Sequence, residues 1–218
     1  SQLKWGHDTM DFDWKAFLRE QLRRGRETGC FPSAAAAVGV KDCVLARAFT
    51  GEAPLPGGSA VNENTLYDMA SLSKILGPTM IALLAIQDGT LSLEEQVGAF
   101  YPEAPADKRN ITVRMLMTHT GGFHPSFRLD QMGITPDQAV QAILQYPLDA
   151  QPGEKPIYTC MGYILLAKML EKRFGQPLDA LAREQVFEPL GMADSGFCPP
   201  TEAVCAATEV DPETAQPD

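Results

Sequence analysis

Ser71-Leu72-Ser73-Lys74 opens the most apolar run of this 218-residue chain, and the fold is read outward from it. Three residues is close to one helical turn, so on a helix the Lys74 amine lies on the same face as the Ser71 hydroxyl. An amine so placed can take the hydroxyl proton and turn a weak alcohol into a nucleophile. The plain alternative is a Ser71 that caps a helix and a Lys74 that extends into solvent. The flanking sequence separates the two.

Asn64-Thr65-Leu66-Tyr67-Asp68-Met69-Ala70 leads into the serine, and Leu91-Ser92-Leu93-Glu94-Glu95-Gln96-Val97 follows the apolar run. Next come Leu116-Met117-Thr118-His119-Thr120-Gly121-Gly122-Phe123, then Pro152-Gly153, Tyr158, Gly162 and Tyr163. Leu190-Gly191-Met192-Ala193-Asp194-Ser195-Gly196-Phe197 closes the series. In this order and spacing the segments resemble penicillin-binding proteins and class C β-lactamases, over roughly residues 11–212. The specificity lies in the collinearity, since a Ser three positions before a Lys is common by itself.

The resemblance implies an α+β fold of the β-lactamase/transpeptidase type: an N-terminal β-hairpin, a large helical region and an antiparallel sheet. It implies Ser71 as nucleophile, with Lys74 and the phenol of Tyr158, at the start of a second helix, moving protons. Lys74 must then be neutral at some stage, and burial with nearby positive potential is expected to lower its pKa. Cys160 stands where the family commonly carries an Asn whose amide helps to hold substrate. A thiol is a weak hydrogen-bond partner, so simple esters are expected to be favoured over amide-containing β-lactams.

His119-Thr120-Gly121 imitates the family's third motif, Lys/His-Thr-Gly, but precedes Tyr158 instead of following it and reads as a decoy. Nothing after Tyr158 resembles that motif, and the strands that would complete the sheet are missing. The chain therefore looks like the N-terminal portion of a longer hydrolase. The expected function is a serine hydrolase acting through an acyl-enzyme on an ester, β-lactam or D-amino-acid peptide bond, weakly active or inactive as this chain. The alternative is a non-catalytic ligand-binding or assembly fragment of the same fold. No metal or organic cofactor is expected: His119 and His124 come without HExxH or paired carboxylates, and His119 reads as a structural hydrogen-bonding residue.

Composition narrows the partners. A formal charge of −10 repels nucleic acid and anionic membrane surfaces. Ile75–Ile86, at twelve residues with Gly77 and Pro78 inside, falls short of the roughly twenty needed to span a bilayer and reads as a core helix, with no transmembrane segment expected. A small-molecule acyl substrate is the expected partner, with a homo-oligomer or a complementing C-terminal segment to cover the incomplete sheet. Cys30, Cys43, Cys160, Cys198 and Cys205 are odd in number and lack CxxC spacing. Read as free thiols, and with no apolar leader, they lean towards the cytoplasm, the periplasm being the alternative.

The periodicity predicts a first helix capped by Asp11 and ended at Gly29, and strands Ser33–Val40 and Cys43–Thr50 joined at Lys41-Asp42. The four alanines of the first strand suggest a helix packed close upon it. A Gly- and Pro-rich loop spans 51–58. Helices are predicted for 71–87, bent near Pro78, and for 113–118, 136–145 with Thr135 as cap, 158–174 closed by Gly175, and 178–187. One domain is expected over residues 1–204, its helical region about 62–197, followed by an acidic, Pro- and Thr-rich tail over 205–218.

Overall fold

A computed structural model of the chain describes residues 12–53, 58–125, 129–200 and 203–207. Two compact units emerge: residues 70–198 form one, and the segments on either side form the other.

In the flanking unit, helix α1 (Trp14–Glu27) is capped by Asp13, whose carboxylate accepts from the Ala16 N–H at 2.9 Å. Asp11, the expected cap, lies outside the described residues. Strands β1 (Ala34–Val40) and β2 (Cys43–Thr50) pair antiparallel with a bulge between Val38 and Gly39, and Lys41 takes a positive φ of 52° in the turn. Alanine has little intrinsic strand preference, but α1 packs on the pair, mostly over β2, and buries Leu22 and Ala48. The 51–58 segment is not wholly loop: β3 (Glu52–Ala53) pairs with β4 (Ser59–Ala60), residues 54–57 lying outside the description.

Cys205 and Ala206, assigned to the tail by composition, are drawn in against Leu66. The Leu66 N–H donates to Val204 O at 2.9 Å and the Ala206 N–H to Leu66 O at 2.8 Å. Ala206 joins Ala53 and Val61 in a small core with Phe49 and Tyr67 against it. A window rich in Pro, Glu and Thr hides the short apolar stretch Val204-Cys205-Ala206 that makes the contact. Residues 208–218 lie outside the description.

In the 70–198 unit, a helical run crosses three geometries. A 3₁₀ turn at Ala70–Leu72 leads to a π turn at Ile75–Thr79 and then to α2 (Met80–Gln87). Pro78 has no N–H and its ring crowds the preceding turn, so the ladder widens and the Met80 N–H reaches back five residues to Ile75 O. The predicted bend at Pro78 is thus a wide turn. Counted from Ala70 this run is the one helix among the described residues that meets membrane-spanning length and apolarity, as core helices of globular units also do. Ile81, Ala82 and Ala85 bury one of its faces in the core.

α3 (Val97–Phe100), α4 (Val113–Met117) and α5 (Pro136–Gln145) surround α6 (Cys160–Phe174), and α7 (Leu178–Ala182) continues as a π turn over Arg183–Phe187. Leu165, Leu166, Met169 and Leu170 of α6 are buried against Ile143 and Leu144 of α5 and Leu116 of α4. Thr135 and Gln138 form a reciprocal capping box at the start of α5. Gly175, at φ 68°, ends α6 in the left-handed conformation that its missing Cβ permits.

Candidate active site

Ala70 precedes the serine at φ 43°, a conformation disfavoured for a residue with a Cβ, and the chain enters the 3₁₀ turn from there. Lys74, one turn on, donates from Nζ to Ser71 Oγ at 3.3 Å. Both belong to the same helical run, so their meeting follows from the three-residue spacing.

Tyr158 arrives from a distant part of the sequence. It sits two residues before α6, on an extended segment held by His119: the Ile157 N–H donates to His119 O at 2.8 Å and the Thr159 N–H to His119 Nδ1 at 3.3 Å. Thr159, only 3% exposed, caps α6 through its Oγ1, which accepts from the Met161 N–H at 3.2 Å and donates to His124 O at 2.9 Å. With Thr159 pinned inward, Tyr158 and Cys160 on either side turn outward, and Tyr158 is 56% exposed.

The His119 ring stacks between Tyr158 and Tyr163, with ring centres 4.5 and 4.9 Å away. The Tyr163 hydroxyl donates to Met117 O at 3.0 Å and accepts from Thr79 Oγ1 at 3.2 Å, which ties the stack to the helical run carrying Ser71.

The electrostatics differ from the expectation for Lys74. Burial does push its pKa down, but the Tyr158 phenol and the Cys160 thiol beside it outweigh burial, and the ammonium is stabilised. Tyr158 moves the other way: hydrogen bonds from Ser71, and then from Lys74, hold its phenol below the usual tyrosine range. Burial and the Lys74 charge hold His119 below the usual imidazole range.

Ser71, Lys74, Tyr158 and Cys160, all singled out from the sequence, thus share one locality. Thr159, Thr79 and the strained Ala70 were not singled out. Thr159 alone carried a readable signal, a Thr immediately before an apolar helical pattern. Among the described residues no group of three or more His, Cys, Asp or Glu is placed to hold a metal ion. All five cysteines are free.

Known structures share the fold. A class C beta-lactamase from Rhodobacter sphaeroides superposes with a TM-score of 0.78 at 23% identity, over 91% of this chain and 56% of its own. An octameric penicillin-binding protein homologue from Pyrococcus abyssi gives 0.77 at 23%, over 93% and 50%. In sequence, an Escherichia coli K12 protein provisionally named a D-alanyl-D-alanine carboxypeptidase is 30% identical over 149 residues, 62% of this chain and 34% of the relative. The chain thus spans about a third of the length of that curated relative. The beta-lactamase family model matches residues 18–217, nearly the whole sequence, and with the fold and the collinear motifs this establishes that the chain belongs to the beta-lactamase family.

Proposed function

We propose that the chain carries a serine hydrolase centre in which Ser71 attacks the carbonyl of an ester, β-lactam or D-amino-acid peptide, with Tyr158 as proton acceptor and Lys74 as the cation that keeps Tyr158 acidic. The observation that carries this reading is the convergence of three side chains: Lys74 Nζ lies 3.3 Å from Ser71 Oγ and 5.2 Å from the centre of the Tyr158 ring, and hydrogen bonding from both side chains holds the Tyr158 phenol below its usual range. The similarity to a relative named for D-alanyl-D-alanine carboxypeptidase supports the substrate class.

In the acylation step the Ser71 proton passes to the Tyr158 oxygen as Oγ bonds to the carbonyl carbon and the π electrons move to the carbonyl oxygen. Collapse of that tetrahedral species breaks the bond to the leaving group, which takes the proton from Tyr158. Water then attacks the ester carbon, giving a proton to Tyr158. The Ser71 Oγ–carbon bond breaks and Ser71 regains its proton. Lys74 stays an ammonium throughout.

A fluorophosphonate probe tests the centre. We expect labelling of the wild type that disappears in Ser71→Ala, whereas well-folded wild type that takes no label overturns the reading and leaves a ligand-binding or assembly fragment. Cys160 beside Lys74 tunes the substrate. A thiol cannot offer the two-sided hydrogen bonding of an amide, and one hydrogen bond is worth about 1 kcal/mol. Cys160→Asn is expected to shift the ratio of β-lactam to ester turnover upward by about fivefold; an unchanged ratio counts against this role.

A further inference from the structure

We propose that His119 is the positioning residue of Tyr158, and that it holds the phenol at Ser71 only while its Nδ1 carries no proton. The proposal rests on the reading of Ser71, Lys74 and Tyr158 as the reacting centre. His119 touches the Tyr158 segment in three ways. Its carbonyl accepts from the Ile157 N–H at 2.8 Å, its Nδ1 accepts from the Thr159 N–H at 3.3 Å, and its ring lies against the Tyr158 ring at 4.5 Å. The residues before and after Tyr158 are thus clamped to one side chain and its backbone.

The clamp has a chemical condition. An imidazole Nδ1 accepts a hydrogen bond only when it is unprotonated, so the Thr159 contact fixes the neutral tautomer with its proton on Nε2. Adding a proton at Nδ1 sets a donor against the Thr159 donor, and the bond is lost. The same proton places a second positive charge near Lys74, whose field already disfavours it. The groups facing His119 among the described residues are the Lys74 ammonium, the Tyr158 and Tyr163 phenols and the Thr159 amide. Tyr163 is tied to Met117 and Thr79, so the ring is backed by a fixed partner on one face and carries Tyr158 on the other.

The positive φ of 58° at His119 supplies a conservative variant. Asparagine tolerates the left-handed region better than other residues with a side-chain acceptor, and its Oδ1 falls near the position of Nδ1. His119→Asn keeps an acceptor for Thr159 without a titrating proton, though it lacks the ring beneath Tyr158.

The test has two arms. In the first, the wild type is followed by NMR with labelled His and Tyr rings as pH falls through the His119 transition. We expect a His119 midpoint below 6.5 and loss of the His119–Tyr158 inter-ring NOEs with the same midpoint. NOEs that persist once His119 is protonated overturn the proposal, and this arm needs neither a variant nor a substrate.

In the second arm, fluorophosphonate labelling of Ser71 is measured against pH. The wild-type rate falls about tenfold per pH unit below the Tyr158 midpoint, because Tyr158 is the base, and should steepen to about a hundredfold per unit below the His119 midpoint. His119→Asn should label several-fold more slowly and keep the tenfold slope through that midpoint. A steepening that survives in a folded His119→Asn overturns the proposal. Absence of labelling in wild type at every pH sinks the hydrolase reading instead, and the NOE arm still decides the role of His119.

Discussion

Tyr158 is more than half exposed, yet its phenol sits below the ordinary range because Ser71 and Lys74 both donate to its oxygen. Lys74 in turn is held above its ordinary range, since Tyr158 and Cys160 favour the ammonium more than burial disfavours it. The two shifts define a window in which phenolate and ammonium coexist, opening below pH 10 as Tyr158 deprotonates and closing above 10.5 as Lys74 does. Ultraviolet titration reads this directly. The difference spectrum between wild type and Tyr158→Phe should show a tyrosinate band emerging below pH 10, and Lys74→Met should move its midpoint upward. Tyr101 does not interfere, since burial pushes it up to about 12. A Tyr158 midpoint indifferent to Lys74→Met contradicts the pairing. The Ser71–Lys74 contact was legible in the sequence because three residues along one helix dictate it. The direction of the Lys74 shift was not, since Tyr158 and Cys160 reach Lys74 through tertiary packing, and a local reading weighs only burial and nearby positive potential.

Two glycines close to His119 and Tyr158 give opposite predictions at the level of elements. Gly162 lies in the first turn of α6, and a Cβ there meets Leu116 and Phe123 at 3.6 Å or more, ordinary contact distance. Gly162→Ala should stabilise the helix by about 0.5–1 kcal/mol, raising Tm by about 1–4 °C. Gly122 follows the His119 turn at φ 79°, and a Cβ there falls 2.2 Å from Ala150 O. Its carbonyl accepts from the Asp149 N–H at 2.9 Å, so the strand-like pairing of Phe123 with Leu148 leaves no room to shift. Gly122→Ala should cost about 2 kcal/mol or more and lower Tm by about 4–8 °C. Thermal melts that move in the same direction for both variants contradict this packing. Such end signals made α5 and the close of α6 readable, through Thr135 with its capping partner and through Gly175. The π turn at Pro78 was read only as a bend, because a proline reports that the ladder must change without saying how. β3 and β4, two residues each, carry no period to detect.

At the scale of the whole chain, the family was legible because many short segments keep their order over 200 residues, whereas the division into two units was not, since no linker-like composition marks Met69 and the Pro- and Thr-rich stretch from Pro199 reads only as the start of a tail. Among the described residues β1 and β2 form a two-stranded sheet with no third strand beside it, and two-stranded sheets depend on added packing. Val44 on β2, and Leu72, Ile75 and Leu83 on the helical run, are each about half exposed. Burying the remaining half of such a side chain yields about 1 kcal/mol. Association costs about 4 kcal/mol or more in lost translational and rotational freedom, so contacts of this kind support only weak self-association, to which strand pairing adds. Opposing this, two copies each carrying −10 repel one another. That repulsion reaches about 30 Å at 0.01 M salt and about 3 Å at 1 M, while apolar contact is not screened. Light scattering should therefore show an average mass that rises with protein concentration and, at fixed concentration, rises again with salt. Association that weakens with salt points to ion pairing instead of apolar and strand contacts, and a monomer mass held from low to high salt at the highest soluble concentration removes the case for self-association.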